Sequence, residues 1–171
     1  MIKRLKNFLN LFKFCKHPDS KNISHIISND EKIVRSIFTP INISKDQKTI
    51  KSNAFKPPAD SDEVSVNRLN FTNCDFCKAI SKRIEMPLSD RNYFGLALLY
   101  ANEIKDCNAD LEYTPKLDNI YHADIKIGFI VKKGEPLPSE FQQKVNNLTK
   151  KARLFKDENP KSNKWDGKEI Q

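Results

Sequence analysis

Residues 122–131 read HADIKIGFIV, the clearest alternation of apolar and polar side chains in the chain. Successive side chains of a β-strand point to opposite faces of the sheet. One face of this stretch is therefore apolar and the other mostly polar, which is typical of an antiparallel sheet with one side on a core. The apolar face carries Ala123, Ile125, Ile127, Phe129 and Val131, and the opposite face carries His122, Asp124, Lys126 and Gly128.

Four further segments have strand patterns. Residues 33–43 are rich in β-branched and aromatic side chains and are interrupted at Pro40, which favours a sheet edge or a bend. Residues 63–69 alternate, with Val64 and Val66 predicted to face the core. Residues 94–100 form a continuous apolar run, and residues 111–114 form a short strand that ends at Pro115.

Two segments have helical periodicity. In residues 139–155, apolar side chains recur at helical spacing and Ser139 and Gln142 match a capping box. The apolar positions of that helix are Phe141, Val145, Leu148, Ala152 and Phe155. A second helix is predicted after Thr72, with an apolar stripe of Phe76, Ile80 and Ile84.

These elements predict an α+β fold: a mainly antiparallel sheet with two or three helices on one face, plus an N-terminal amphipathic helix. A length of 171 residues is within the range of one domain. The expected organisation along the chain is a basic amphipathic helix at 1–16, a linker at 17–30, an α+β globular domain at 31–156 and a polar flexible tail at 157–171.

The positive charge lies at the two ends of the chain. Of the net charge of +8, residues 1–16 carry +5 and residues 144–171 carry +4, so the intervening residues are close to neutral. This distribution favours a non-enzymatic cytoplasmic protein that binds an anionic partner through basic terminal extensions. The partner would be a nucleic acid, a nucleoprotein or an acidic protein. The candidate contacts are Lys3, Arg4, Lys6, Lys13, Arg68, Lys126, Lys150, Lys151 and Arg153.

The apolar side of residues 1–16 leaves three interpretations open. Phe8, Leu9, Leu11 and Phe12 are costly to leave in water, so this helix is expected to dock. It would dock on its own domain, on a partner protein or on an anionic membrane surface.

The alternative function is a small metal-dependent phosphodiesterase or nuclease. His122 and Asp124 are two residues apart on one strand face and can share a metal ion or a phosphate. Glu63 would join them if its strand were a neighbour, with Arg68 or Lys126 holding the phosphate. The metal is not specified by this pattern. A polar, solvated sheet face explains the same residues without any function.

The remaining motifs exclude several classes. The four glycines form neither a dinucleotide-binding nor a phosphate-loop motif, so no nucleotide cofactor is expected. Cys74 and Cys77 lack a second ligand pair for zinc, and Asp75 between them opposes a lowered thiol pKa. Without a secretory signal, free thiols in the cytoplasm are the simplest interpretation of the four cysteines.

Overall fold

The structure is a computed structural model that describes residues 23–85 and 90–170. Within these ranges the chain forms a six-stranded, entirely antiparallel sheet and three α-helices, so the fold is α+β. The strands are β1 (Lys32–Thr39), β2 (Glu63–Arg68), β3 (Asn92–Tyr100), β4 (Asp110–Tyr113), β5 (His122–Lys126) and β6 (Arg153–Lys156). The helices are α1 (Cys74–Glu85), α2 (Ala101–Lys105) and α3 (Ser139–Lys151). The strand order is β4-β5-β2-β1-β3-β6.

The helices α1 and α3 cover opposite faces of the sheet. One face, called the α3 face, packs Ile33, Ile37 and Leu99 against Phe141, Val145 and Leu148 of α3. The other, the α1 face, packs Val34, Leu96 and Leu98 against Cys77 of α1. The expectation of helices on one face is thus corrected. The central strands β1 and β3 are apolar on both sides, and both sides must be removed from water.

The side chain that caps the N-terminus of α1 comes one residue later than the sequence suggested. The side-chain Oδ1 of Asn73, rather than Thr72, accepts a hydrogen bond of 2.9 Å from the backbone N–H of Phe76. Phe76 and Ile80 are buried as predicted, whereas Ile84 is 43% exposed. Only two of the three residues of the predicted apolar stripe are therefore buried.

The helix α3 is confirmed, with Phe141, Val145 and Leu148 buried, but it ends before residue 155. Ala152 is extended, and the next four residues form β6, where Phe155 lies opposite Leu96 of β3. Without β6, the backbone N–H and C=O groups along the outer edge of β3 would have no strand partner. β6 supplies this partner by pairing with β3. The predicted capping box does not form, because Pro138 is the N-cap residue and no described side chain caps the helix.

The strand β5 is shorter than the alternation of residues 122–131 predicts. It pairs with β2 and β4 as far as Lys126. Gly128 then takes a φ of +79°, a left-handed conformation that interrupts an extended strand. The side chains of Ile127 and Phe129 still pack on the α3 face.

Residues 157–170, called the C-terminal strap, pack along α1. Composition alone predicted a polar flexible tail here, whereas the structure buries Asp157 and Ile170. Lys78 of α1, which is fully buried, donates hydrogen bonds to the carbonyl oxygens of Asn159 and Lys164 at 2.8 Å and 2.6 Å. A buried ammonium thus contributes to ordering a largely polar segment, together with the packing of Trp165 and Ile170 on the α1 face.

The proposed linker is partly described. Residues 23–30 lie against Arg68, which donates to the carbonyl oxygen of Ser24 and to the carboxylate of Glu31. The proposed helix at 1–16 and the linker residues up to 22 lie outside the described residues. Among the helices that the structure describes, none is long and apolar enough to cross a membrane.

Candidate functional site

The strands β1 and β2 diverge beyond their first two residue pairs. Their register pairs Ile33 with Arg68 and Val34 with Asn67. Beyond this point the side chain of Arg35 lies between the strands. Its Nη1 donates to the carbonyl oxygen of Ser65 at 2.5 Å, and its Nε donates to that of Ala54 at 3.1 Å. The guanidinium therefore satisfies the Ser65 carbonyl, which continued pairing of β1 with β2 would otherwise satisfy, together with the carbonyl of Ala54 in the 3-10 helix Ser52–Phe55.

A pocket of about 820 Å³ lies where the strands diverge. Its walls are β1 and β2 where they diverge, residues 53–61, the end of α1, and loop residues 116–119. Five lysine or arginine side chains line it against two carboxylates among the described residues. We call it the basic pocket and define it by its cations Arg35, Lys56, Arg83, Arg91 and Lys116 and its acids Glu63 and Asp118.

Both carboxylates of the basic pocket already have cationic partners. Glu63 lies 2.5 Å from Nζ of Lys126, and Asp118 lies 3.6 Å from Nη1 of Arg83. Burial lowers the pKa of Arg35 to about 10; Asp124 opposes this shift and Arg91 adds to it. The guanidinium groups of Arg35 and Arg91 thus repel one another. An arrangement that concentrates like charges is stabilised when an anion binds between them.

His122 and Asp124 are joined through Thr114, which follows β4. The hydroxyl of Thr114 donates to Oδ2 of Asp124 at 2.7 Å. Nδ1 of His122 lies 2.9 Å from the carbonyl oxygen of Thr114. A carbonyl oxygen can only accept, so Nδ1 carries the proton and Nε2 presents a lone pair.

His122 is one of the residues that line the basic pocket, and its Nε2 is closed to solvent and has no hydrogen-bond partner in the part of the chain that the structure describes. It lies 3.7 Å from Oδ1 of Asp124. Burial lowers the pKa of His122, although the nearby carboxylate of Asp124 partly opposes the shift. The imidazole is therefore neutral near pH 7 and acts as an acceptor.

The three residues of the enzymatic alternative share the α1 face of two paired strands. His122 lies opposite Asn67, Asp124 opposite Ser65, and Glu63 opposite Lys126. Glu63 is held by Lys126 at the far end of this row, and the side chain of Asp124 is bonded to Thr114. Within residues 23–85 and 90–170, no group of three or more His, Cys, Asp or Glu could hold a metal ion.

Most of the predicted anion contacts in the described region have acidic partners. Arg68 is buried against Glu31, Lys126 pairs with Glu63, Lys151 with Asp106 and Arg153 with Glu103. Lys150 is exposed on α3. The four N-terminal candidates, Lys3, Arg4, Lys6 and Lys13, lie outside the described residues. Their role in binding remains a prediction.

Sequence reasoning missed the cations of the basic pocket. Arg35 could have been noticed in the sequence, because it is the one charged residue in the stretch 33–38, which is otherwise apolar except for Ser36. The others lie on separate loops and helices far apart in the chain. Nothing in their local sequence indicates that they converge.

Comparison of this chain with protein-family models, with curated proteins and with solved structures finds no match. The chemistry of the basic pocket follows from its own side chains. Its volume of about 820 Å³ falls within the roughly 300–1,000 Å³ of small-molecule sites. Guanidinium and ammonium groups provide charge-assisted donors for carboxylate or phosphate oxygens. Such a site suits an anion of small-molecule size.

Proposed function

We propose that this protein binds an anionic ligand in the basic pocket. The observation that carries the proposal is the convergence of Arg35, Lys56, Arg83, Arg91 and Lys116 on one cavity of about 820 Å³. The folded domain would thus bind the expected anionic partner, in addition to the basic ends. The size of the cavity favours a small molecule or the end of a chain over an extended surface.

The floor of the basic pocket is preorganised for this role. Two backbone carbonyls fix the guanidinium of Arg35. The side-chain amide of Asn119 donates to Oδ1 of Asn67 at 2.7 Å, which fixes a second wall. Side chains that are already ordered lose little conformational entropy when a ligand binds. This supports binding rather than a merely solvated sheet face.

The test is calorimetric titration of the full chain with inorganic phosphate, citrate and a nucleoside monophosphate. Arg91→Gln, which removes a pocket cation, is expected to weaken binding by about tenfold or more, since a charge-assisted hydrogen bond is lost. Lys133→Ala, which removes an exposed cation outside the basic pocket, is the matched control and is expected to bind as the parent does.

Two outcomes would contradict the proposal. One is the absence of binding to all three anions at low salt. The other is equal affinity of Arg91→Gln and the parent, with both variants shown to be folded by thermal unfolding.

We propose a second function for the basic ends, the binding of nucleic acid. The supporting observation is the +5 charge of residues 1–16, which contain no acidic residue. Neutralising phosphates releases counterions, so affinity falls as salt rises. Deleting residues 1–16 is expected to flatten the slope of log affinity against log salt for a single-stranded oligonucleotide. An unchanged slope would remove this segment as the contact, and an acidic protein would then be the next partner to test.

A reducing compartment such as the cytoplasm accords with these proposals. The three cysteines of the described region, Cys74, Cys77 and Cys107, are free thiols. Burial raises the pKa of Cys74 to about 11, which leaves it protonated and unreactive near neutral pH. Cell fractionation, followed by thiol labelling of the unfolded chain in each fraction, would test this location.

A further inference from the structure

The apolar stripe of α1 continues into the basic pocket. Phe76 and Ile80 are buried, whereas Ile84, about one helical turn further on, is 43% exposed. Ile80 and Ile84 both line the cavity. The last residue of the stripe therefore presents an apolar surface to the basic pocket that the described part of the chain leaves uncovered.

Further apolar side chains line the cavity where β1 approaches α1. Phe38 lies near the end of β1, and Ile41 lies in the turn that follows it. The hydroxyl groups of Ser36 on β1 and Ser81 on α1 are 2.6 Å apart, so the two elements are in contact at this end of the strand. Phe38 is buried, whereas Ile41 is half-buried and Ile84 is exposed. We call this part of the lining the apolar side and define it by Phe38, Ile41, Ile80 and Ile84.

Two cations of the basic pocket have no acidic partner in the part of the chain that the structure describes. They are Lys56 and Lys116, and both side chains are exposed. Arg83, which precedes Ile84, already pairs with Asp118 at 3.6 Å and is not counted with them. The anionic group of a ligand can therefore form charge-assisted hydrogen bonds with ammonium groups that are not engaged elsewhere in this region.

A cavity with cations and an uncovered apolar side suits a ligand that has both an anionic and an apolar group. The volume of about 820 Å³ leaves room for both groups. A wholly hydrophilic anion would leave Ile84 in contact with water. Each methylene group that a ligand buries tightens binding by up to about fourfold, so covering this side chain favours an amphiphile.

We propose that the ligand of the basic pocket is an amphiphilic anion, whose phosphate or carboxylate group is held by the cations of the cavity and whose apolar group covers Ile84. The inference rests on the proposed function and specifies its ligand class. A soluble alkyl phosphate or fatty acid and a phospholipid in a membrane share this chemistry.

The test is calorimetric titration of the full chain at low salt with methyl, butyl and hexyl phosphate. These probes carry the same anionic group and differ only in the length of the apolar group. Affinity is expected to rise by about two- to fourfold per methylene group. The heat capacity change of binding is expected to become more negative along the series, because more apolar surface is buried.

Ile84→Ser removes the exposed apolar side chain of the cavity and is expected to reduce the gain per methylene group. Ile130→Ser is the matched control, since Ile130 is 68% exposed and lies outside the basic pocket, and it is expected to keep the gain of the parent. Thermal unfolding shows whether both variants are folded. If Ile84→Ser is not, the dependence of the parent on chain length still decides the question.

Sedimentation with phosphatidylcholine vesicles, with and without phosphatidic acid, distinguishes the two sources of the ligand. Binding to the anionic vesicles that Ile84→Ser weakens would identify a membrane lipid. Because the basic segment 1–16 can also attract such vesicles, binding that Ile84→Ser leaves unchanged is not assigned to the pocket. Tight binding of hexyl phosphate without pocket-dependent vesicle binding would identify a soluble amphiphile.

The two proposals fail in distinguishable ways. Equal affinity for methyl and hexyl phosphate would overturn the amphiphilic ligand and leave the anion pocket standing. An undiminished gain per methylene group in folded Ile84→Ser would also overturn the inference, because the apolar group would then lie elsewhere. Absence of binding to all three phosphates would overturn both proposals.

Discussion

Nζ of Lys78 lies 2.7 Å from Oδ2 of Asp157, and both side chains are closed to solvent. The first residue lies on α1 and the second begins the C-terminal strap. Removing one member of such a pair leaves a buried charge without compensation. The pair therefore fixes the end of the chain to the middle of the fold, and its loss is the most direct way to release the strap.

Asp157→Ala is expected to lower the free energy of unfolding by about 3–5 kcal/mol, because the ammonium of Lys78 is left buried. Urea titration measures the change. Lys82→Ala is the control one helical turn away, where Nζ donates to the carbonyl oxygens of Lys161 and Ser162 nearer the surface. Its expected cost is below about 1 kcal/mol. Similar losses for both variants would show that the buried charge is not the cause.

Gly95→Ala is expected to destabilise the pairing of β3 with β6. A Cβ at residue 95 would collide with the carbonyl oxygen of Phe155 and lie 3.1 Å from Cα of Lys156. Both are backbone atoms of β6, so the strand itself must shift, at a cost of about 1–3 kcal/mol or more. Thermal unfolding measures this cost. Asn92→Ala, at an exposed site on the same strand, is the control, and a neutral Gly95→Ala would contradict the close approach.

Leu148→Ala is expected to destabilise the fold by about 2–5 kcal/mol, because Leu148 of α3 is fully buried and its truncation leaves a cavity. Leu117→Ala removes a side chain that is fully exposed and is expected to change stability by less than about 0.5 kcal/mol. Denaturant titration compares the two. A loss below about 1 kcal/mol at Leu148 would place α3 outside the core.

His122 is expected to make the protein less stable in acid. Its pKa is lowered in the folded state, so the unfolded chain takes up its proton first as the pH falls below about 6.5. The contribution of the neutral ring is fully present at higher pH and is lost as the pH falls through the folded pKa. Urea midpoints at about pH 8 and about pH 5 are expected to differ less in His122→Asn than in the parent. An equal difference would contradict the lowered pKa.

Much of the fold follows from local periodicity. The alternation at Val64 and Val66 and the helical stripe at Phe141, Val145 and Leu148 each identify the buried side correctly. The strand β6 does not follow from the sequence, since Phe155 continues the apolar spacing of α3 and belongs to a strand only through the pairing of β6 with β3. That pairing joins residues far apart in sequence, which local reasoning cannot include.

The presence of helices on both faces of the sheet could be predicted from the sequence. The unbroken apolar run at 94–100 indicates a strand buried on both faces, and this requires a covering layer on each side.

For the candidate site, too, some features could be predicted from the sequence and others depend on the fold. The shared face of His122 and Asp124 follows from their spacing, and the register of β2 with β5 brings Glu63 into the same row. The cations of the basic pocket come from separate elements, so their convergence depends on the packing of α1 and the loops. The orphan Nε2 depends on the tautomer that Thr114 selects, which only the folded geometry determines.

The position of β6 after the other five strands of the described sheet has a consequence for biosynthesis. Until residues 153–156 have left the ribosome, the five preceding strands can pair while β3 presents an open, strongly apolar edge. Such an edge is a template for pairing with another nascent chain. Translation that stops before residue 153 would therefore release an aggregation-prone product that engages chaperones or proteases, whereas a chain that includes β6 closes this edge itself.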